Sequence, residues 1–181
     1  MNLIETSLDG VYIIEPTVFI DSRGYFFESY NQESFKKAGL DYSFVQDNES
    51  KSVYGTIRGL HFQKGEFSQA KLVRVLEGAV LDVAVDLRVG SRTFGQHVAV
   101  ELSGENKRQL LIPRGFAHGF SVLSETAVFS YKCDNFYAPE YEAGICYDDP
   151  DLRIDWRLPA DVMILSEKDK NRPYFKDVKG I

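Results

Sequence analysis

The chain has 181 residues, of which 21 are Lys or Arg and 27 are Asp or Glu, for a net charge of −6; 44% are hydrophobic and 27% charged. These proportions suit one folded domain spanning residues 1–181 with its own core, and they exclude a globally disordered chain. The acidic balance argues against non-specific nucleic-acid binding, which needs a basic surface, but leaves room for an anionic small ligand held by a local Arg/Lys cluster.

In chain order, Met1 to Gly10 carries Glu5 and Asp9 where a secretory signal would be basic and then apolar, so no signal is expected. No apolar run approaches the ~20 residues of a membrane helix. Strand candidates at 25–30 and 44–49 flank a short helix candidate, with Asn31 as N-cap and Gly39 as its stop. Further strands are predicted at 56–63, 71–76 and 79–87, the last two joined as a hairpin through Glu77-Gly78. Ala79, Leu81, Val83, Val85 and Leu87 alternate with Asp82 and Asp86, which predicts one buried and one polar face. Strand candidates continue at 96–102, 109–112, 119–123 and 127–132. Residues 166–170 read as a short turn or helix start, and 176–181 as a loose polar end. Many short strands at close spacing predict a sandwich, jelly roll or barrel. Cys133 and Cys146 are too few and too far apart for a CxxC motif or a disulfide framework, which suits two reduced thiols in the cytoplasm.

The three histidines are His61, His97 and His118. His97, in Gly95-Gln96-His97-Val98, has no suggestive neighbour and reads as structural. His118 ends Pro113-Arg114-Gly115-Phe116-Ala117-His118, which resembles the second motif of a cupin. The first motif would be Gly55-Thr56-Ile57-Arg58-Gly59-Leu60-His61-Phe62-Gln63, with Gln63 in place of a second His and Glu66 near the expected carboxylate. A mononuclear cupin metal site takes about three imidazoles and a carboxylate. Two imidazoles and a Gln fall short of that set. The resemblance therefore implies an all-β, cupin-type double-sheet jelly roll with a few short helices and no bound metal, its histidines left for acid–base work.

A closer resemblance covers nearly the whole chain, from about Gly10 to about Tyr174. Thr56 to Gln63, Ala70-Lys71-Leu72-Val73-Arg74-Val75, Asp82 to Arg88, Ser103 to Leu110, Ile112 to Phe120, Tyr131-Lys132-Cys133 and Leu165-Ser166-Glu167-Lys168-Asp169 are similar, in this order, to the dTDP-4-dehydrorhamnose 3,5-epimerase family. Each motif alone is weak; the ordered set is specific. The resemblance implies a dTDP-4-keto-6-deoxyhexose substrate inverted at carbons 3 and 5, and no redox cofactor or metal, because the 4-keto group already acidifies both C–H bonds. Such chemistry asks for a base, a holder of the enolate oxygen and an acid on the opposite face.

The family pattern implies His61 as the base and Asp169 as its orienting partner. It implies Tyr131 as the general acid, Lys71 as the enolate holder and His118 as a pocket residue that assists the same oxygen or closes the pocket. Taken alone, Asp169 reads as a solvated charge in a Glu-Lys-Asp-Lys run, Tyr131 as a core aromatic and Lys71 as a solvated strand lysine; only the family match reverses these readings. For the nucleotide, the resemblance implies charge from Arg23, Arg58 and Lys168, polar contacts from Glu28, Gln46 and Asn48, and further pocket positions at Phe26, Tyr137 and Glu142. It also implies a homodimer with exchanged N-terminal strands, so that Arg23, Phe26 and Glu28 could serve the partner's site. Competing classes are an epimerase of carbon 3 or carbon 5 alone, a metal-dependent cupin and a non-catalytic sugar-nucleotide binder.

Overall fold

The computed structural model describes residues 1–178 and 180. Two antiparallel sheets face each other. The six-stranded sheet has the order β1 (Asn2–Glu5), β2 (Tyr12–Glu15), β10 (Gln109–Ile112), β7 (Lys71–Glu77), β12 (Thr126–Cys133), β5 (Gln46–Val53). The five-stranded sheet runs β13 (Glu142–Gly144), β6 (Ile57–Gln63), β11 (Phe116–Val122), β8 (Ala79–Asp86), β9 (His97–Ser103). A separate hairpin, β3 (Phe19–Asp21) and β4 (Gly24–Phe26), precedes helix α1 (Gln32–Lys37); α2 (Glu167–Lys170) lies near the C-terminus. This is the expected double-sheet jelly roll.

The strand predicted at 25–30 stops at Phe26, because the chain turns to let the Asn31 side chain accept from the Ser34 amide and cap α1. The strand predicted at 44–49 is instead Gln46–Val53. β1, β2 and β13 were not expected; each has only three or four residues, too short to display a period.

The expectation of one polar face on β8 is wrong. Asp82 and Asp86 are fully buried, as are Val80 and Ala84 on the same face. That face joins Val73, Leu102, Phe120 and Phe129 in the core between the sheets. The opposite face, Leu81, Val83 and Val85, is covered by the C-terminal segment through Ile145, Leu152 and Trp156. A sheet buried on both faces does not alternate cleanly. Phe175 and Val178 pack against this second core, so the segment from 176 is docked at Val178 rather than loose; Lys179 and Ile181 lie outside the described residues.

One irregularity interrupts the pairing of β6 and β11 beside His61 and His118. His118 of β11 pairs with His61 of β6, yet Phe120 pairs with Arg58, so Gly59 and Leu60 stand against the single Gly119. This is a β-bulge, a device that bends a strand and redirects its side chains. Gly59 has φ +126°, and a Cβ there would lie 2.5 Å from the Gly119 Cα. Only glycine fits that close approach.

Candidate active site

A cavity of about 1010 Å³ opens between the two sheets. The five-stranded sheet sends His61 and His118 into it. The six-stranded sheet answers with Gln46 and Asn48 of β5, Lys71 of β7, and Tyr131 and Cys133 of β12. Cross-strand register sets these in rows: Asn48, Tyr131 and Val73 lie side by side, as do Gln46, Cys133 and Lys71. Phe120 and Phe129, stacked at 4.2 Å, contribute apolar lining. Arg58, Tyr137, Glu142, Lys168 and Asp169 complete the wall.

Two histidine–carboxylate pairs stand on neighbouring strands. His61 Nε2 lies 2.5 Å from Asp169 Oδ1; the imidazole is 33% exposed and the carboxylate 6%. Ser166 caps α2 by accepting from the Asp169 amide, which fixes the backbone that carries this carboxylate. Burial would raise the Asp169 carboxyl, but hydrogen bonding with His61, Ser166 and the Gly59 backbone holds it below the ordinary carboxylate value. The second pair, His118 Nε2 to Asp82 Oδ2 at 2.9 Å, is deeply buried. There burial outweighs the Asp82 carboxylate and pushes the imidazole down, favouring its neutral form.

Lys71 Nζ lies 5.9 Å from the centre of the Tyr131 ring. Burial pushes the Lys71 ammonium down, partly opposed by Cys133, Asp82 and Glu142. Burial also raises the Tyr131 phenol and pushes the Cys133 thiol up to about 11. Tyr131 thus keeps its proton at neutral pH and is able to donate it. Such an arrangement can exchange a proton on either face of a bound ketone and supply a cation near its oxygen.

At the rim, Arg58 Nε donates to Ser52 Oγ at 3.0 Å, and Lys168 reaches Glu142 Oε1 at 2.7 Å. The Tyr137 phenol donates to Glu142 Oε2 at 2.7 Å, and Gln46 accepts from the Tyr137 amide. Burial disfavours ionised Glu142, yet hydrogen bonds from Lys168, Tyr137 and Arg172 outweigh it and hold the carboxyl at about 2. Gln63, the cupin-motif departure, donates to the Phe67 and Phe136 carbonyls and accepts from the Ala138 amide, so its side chain is committed to fixing loops. Among the described residues, no group of three or more His, Cys, Asp or Glu is placed to hold a metal ion, and no helix is long and apolar enough to cross a membrane.

The cavity thus gathers His61, Asp169, Tyr131, Lys71, His118, Gln46, Asn48, Arg58, Tyr137, Glu142 and Lys168. Arg23, Phe26 and Glu28 are not in it. Arg23, 88% exposed, pairs with Asp21 inside the β3–β4 hairpin, Phe26 is 70% exposed, and Glu28 accepts from Asn31 and Ser34. Asp82, Ser52 and Arg172 went unrecognised in the sequence. For Asp82 a signal existed: Val80 and Ala84 share its strand face and are apolar. Ser52 and Arg172 carry no such mark. His97 is half-buried on β9, away from the cavity.

The family model described as dTDP-4-dehydrorhamnose 3,5-epimerase matches residues 5–177. A relative of that name from Methanothermobacter thermautotrophicus is 56% identical over 169 residues, covering 93% of this chain and 91% of its own. The crystal structure of the dTDP-4-dehydrorhamnose 3,5-epimerase from Elizabethkingia anophelis superposes with a TM-score of 0.95 at 62% identity, covering 99% of this chain and 98% of that one. That of dTDP-6-deoxy-D-glucose-3,5-epimerase from Legionella pneumophila, in complex with dTDP-4-keto-L-rhamnose, does so with a TM-score of 0.94 at 51% identity, covering 98% and 94%. Motif order, fold and end-to-end similarity agree: the chain belongs to the dTDP-4-dehydrorhamnose 3,5-epimerase family.

Proposed function

We propose that this isomerase converts dTDP-4-keto-6-deoxy-D-glucose to dTDP-4-keto-L-rhamnose, a step of deoxysugar biosynthesis. His61, polarised by Asp169, removes the proton from a carbon beside the 4-keto group. The electron pair moves onto the ketone oxygen, and Lys71 holds the enolate formed, while His118 closes the pocket. Tyr131 returns a proton to the same carbon from the other face, inverting it; His61 then gives its proton to solvent, Tyr131 regains one from solvent, and the sequence is repeated at the second carbon. The observation that carries this reading is that His61 and Tyr131 enter one cavity from opposite sheets, with Lys71 beside the phenol. A base and an acid on the same side would exchange the proton without inversion.

Arg58 and Lys168 bind the diphosphate, while Gln46, Asn48, Tyr137 and Glu142 position the nucleotide and sugar. The chain works as one domain, in the cytoplasm, as a homodimer. Support for the dimer comes from the β3–β4 hairpin, where Phe19, Ile20, Tyr25 and Phe26 are all more than half exposed. A second copy covers these side chains and receives Arg23, Phe26 and Glu28 at its own cavity. The test is incubation with the 4-keto sugar nucleotide in heavy water, followed by mass spectrometry and proton NMR. Two deuterons, at carbons 3 and 5, with an L-configured product, are expected. One deuteron would reassign the protein to single-site epimerisation, and none, with binding retained, would reduce it to a sugar-nucleotide binder.

A further inference from the structure

Glu142 is shared by two cations of unlike surroundings. Lys168, 59% exposed, reaches Oε1 from the solvent side of the cavity mouth. Arg172, only 11% exposed, reaches the same oxygen through Nη2 from within the fold. Arg172 follows α2 and lies against β13: a Cβ at Gly144 would come within 2.8 Å of its Nε. Among the described residues, Glu142 is the one group that the Arg172 side chain bonds. One carboxylate set against two cations leaves a surplus positive charge, and the buried cation is the one that cannot swing away.

We propose that Arg172 is a positioning residue that neutralises Glu142 from behind, leaving the charge of Lys168 available to an anionic ligand at the cavity mouth. The proposal rests on the reading of this cavity as a sugar-nucleotide site, whose diphosphate is that anion. Without Arg172, Lys168 is left as the sole cation on Glu142 among the described residues, the pair is neutral, and the diphosphate must compete with an otherwise unpaired carboxylate for the ammonium. With Arg172 present, Glu142 also keeps Oε2 for the Tyr137 phenol, which orders the same rim. Arg172 itself does not line the cavity and is outside the catalytic set.

The test is calorimetric titration with dTDP of wild type, Arg172→Gln, Arg172→Lys, Glu142→Gln and the double variant Glu142→Gln/Arg172→Gln. Arg172→Gln is expected to weaken binding about tenfold, the scale of one charge-assisted contact. Arg172→Lys, which keeps the charge, restores affinity to within about threefold of wild type on the same scale. In the Glu142→Gln background, loss of Arg172 has little further effect, because Lys168 is no longer claimed by a carboxylate. In turnover, Arg172→Gln raises KM more than it lowers kcat. Equal weakening in both backgrounds, or unchanged affinity in Arg172→Gln, would overturn the proposal. Thermal midpoints identify a variant that fails to fold, in which case Arg172→Met takes its place in the same comparison. A wild type that binds dTDP without epimerising the keto sugar would refute the proposed function alone, since the dTDP titrations decide the role of Arg172 independently.

Discussion

Replacing Asp169 by Asn removes one charge and almost no volume from the His61 pair. The carboxylate is buried, 2.5 Å from Nε2, and pinned by the Ser166 cap, so the amide is held in the same place. What is lost is stabilisation of the imidazolium formed when His61 takes the substrate proton. With charge centres about 4 Å apart and an effective dielectric constant of about 20, that stabilisation is about 4 kcal/mol. At about 1.4 kcal/mol per decade, kcat should fall about a thousandfold. KM should change little, because Asp169 faces the imidazole. The assay is the rate of solvent-deuterium incorporation at carbons 3 and 5, alongside product formation and the thermal midpoint. Deuterium exchange in Asp169→Asn at more than about a tenth of the wild-type rate, in a folded protein, would refute the reasoning.

Tyr131→Phe keeps the ring beside Phe129 and Lys71 but removes the donor; exchange into recovered substrate should persist while inverted product falls by about 10²–10⁴-fold. Chirality-resolved NMR of the recovered sugar checks this, and normal inversion would remove Tyr131 from the role of acid. Lys71→Met, similar in length without the charge, should lower kcat by about 10²–10³-fold through loss of one donor to the developing oxyanion, measured as exchange rate at saturating substrate. Glu142 should make folding acid-sensitive. Its folded value of about 2 lies below its ordinary 4.5, so its contribution is complete above pH 4.5 and is lost as pH falls toward 2. That difference is worth at most about 3–4 kcal/mol. Urea unfolding of wild type and Glu142→Gln should show that gap near pH 7 and see it narrow between pH 5 and pH 3; a gap independent of pH would sink this account.

The jelly roll was legible in the density of short strands and in two motifs that share a cavity only once β6 and β11 are paired. The helix cap at Asn31 was legible because capping is a local matter. The two faces of β8 were not, because burial of the second face depends on the core facing the other sheet, and the C-terminal segment covers the first. The same segment brings Asp169 to His61, a contact between residues 108 apart in the chain. No local pattern in Glu167-Lys168-Asp169-Lys170 distinguishes the buried carboxylate from its exposed neighbours; family resemblance supplied what spacing could not. Arg23, Phe26 and Glu28 do not line the cavity of their own chain: Arg23 and Phe26 lie on a hairpin that pairs only with itself, and Glu28 is bonded to Asn31 and Ser34 at the start of α1.

The two histidine–carboxylate pairs place one chemical unit in two different surroundings. Both imidazoles have a carboxylate within 3 Å of Nε2. The His61 ring is a third exposed and lines the cavity, within reach of a bound molecule. The His118 ring is 8% exposed, its carboxylate is fully buried, and burial favours its neutral form. A neutral ring whose Nε2–H is donated to Asp82 retains Nδ1 as an acceptor only, suited to a single fixed hydrogen bond. The difference in burial falls between adjacent strands of one sheet, and the bulge at Gly59 and Leu60 interrupts their pairing immediately beside the two rings.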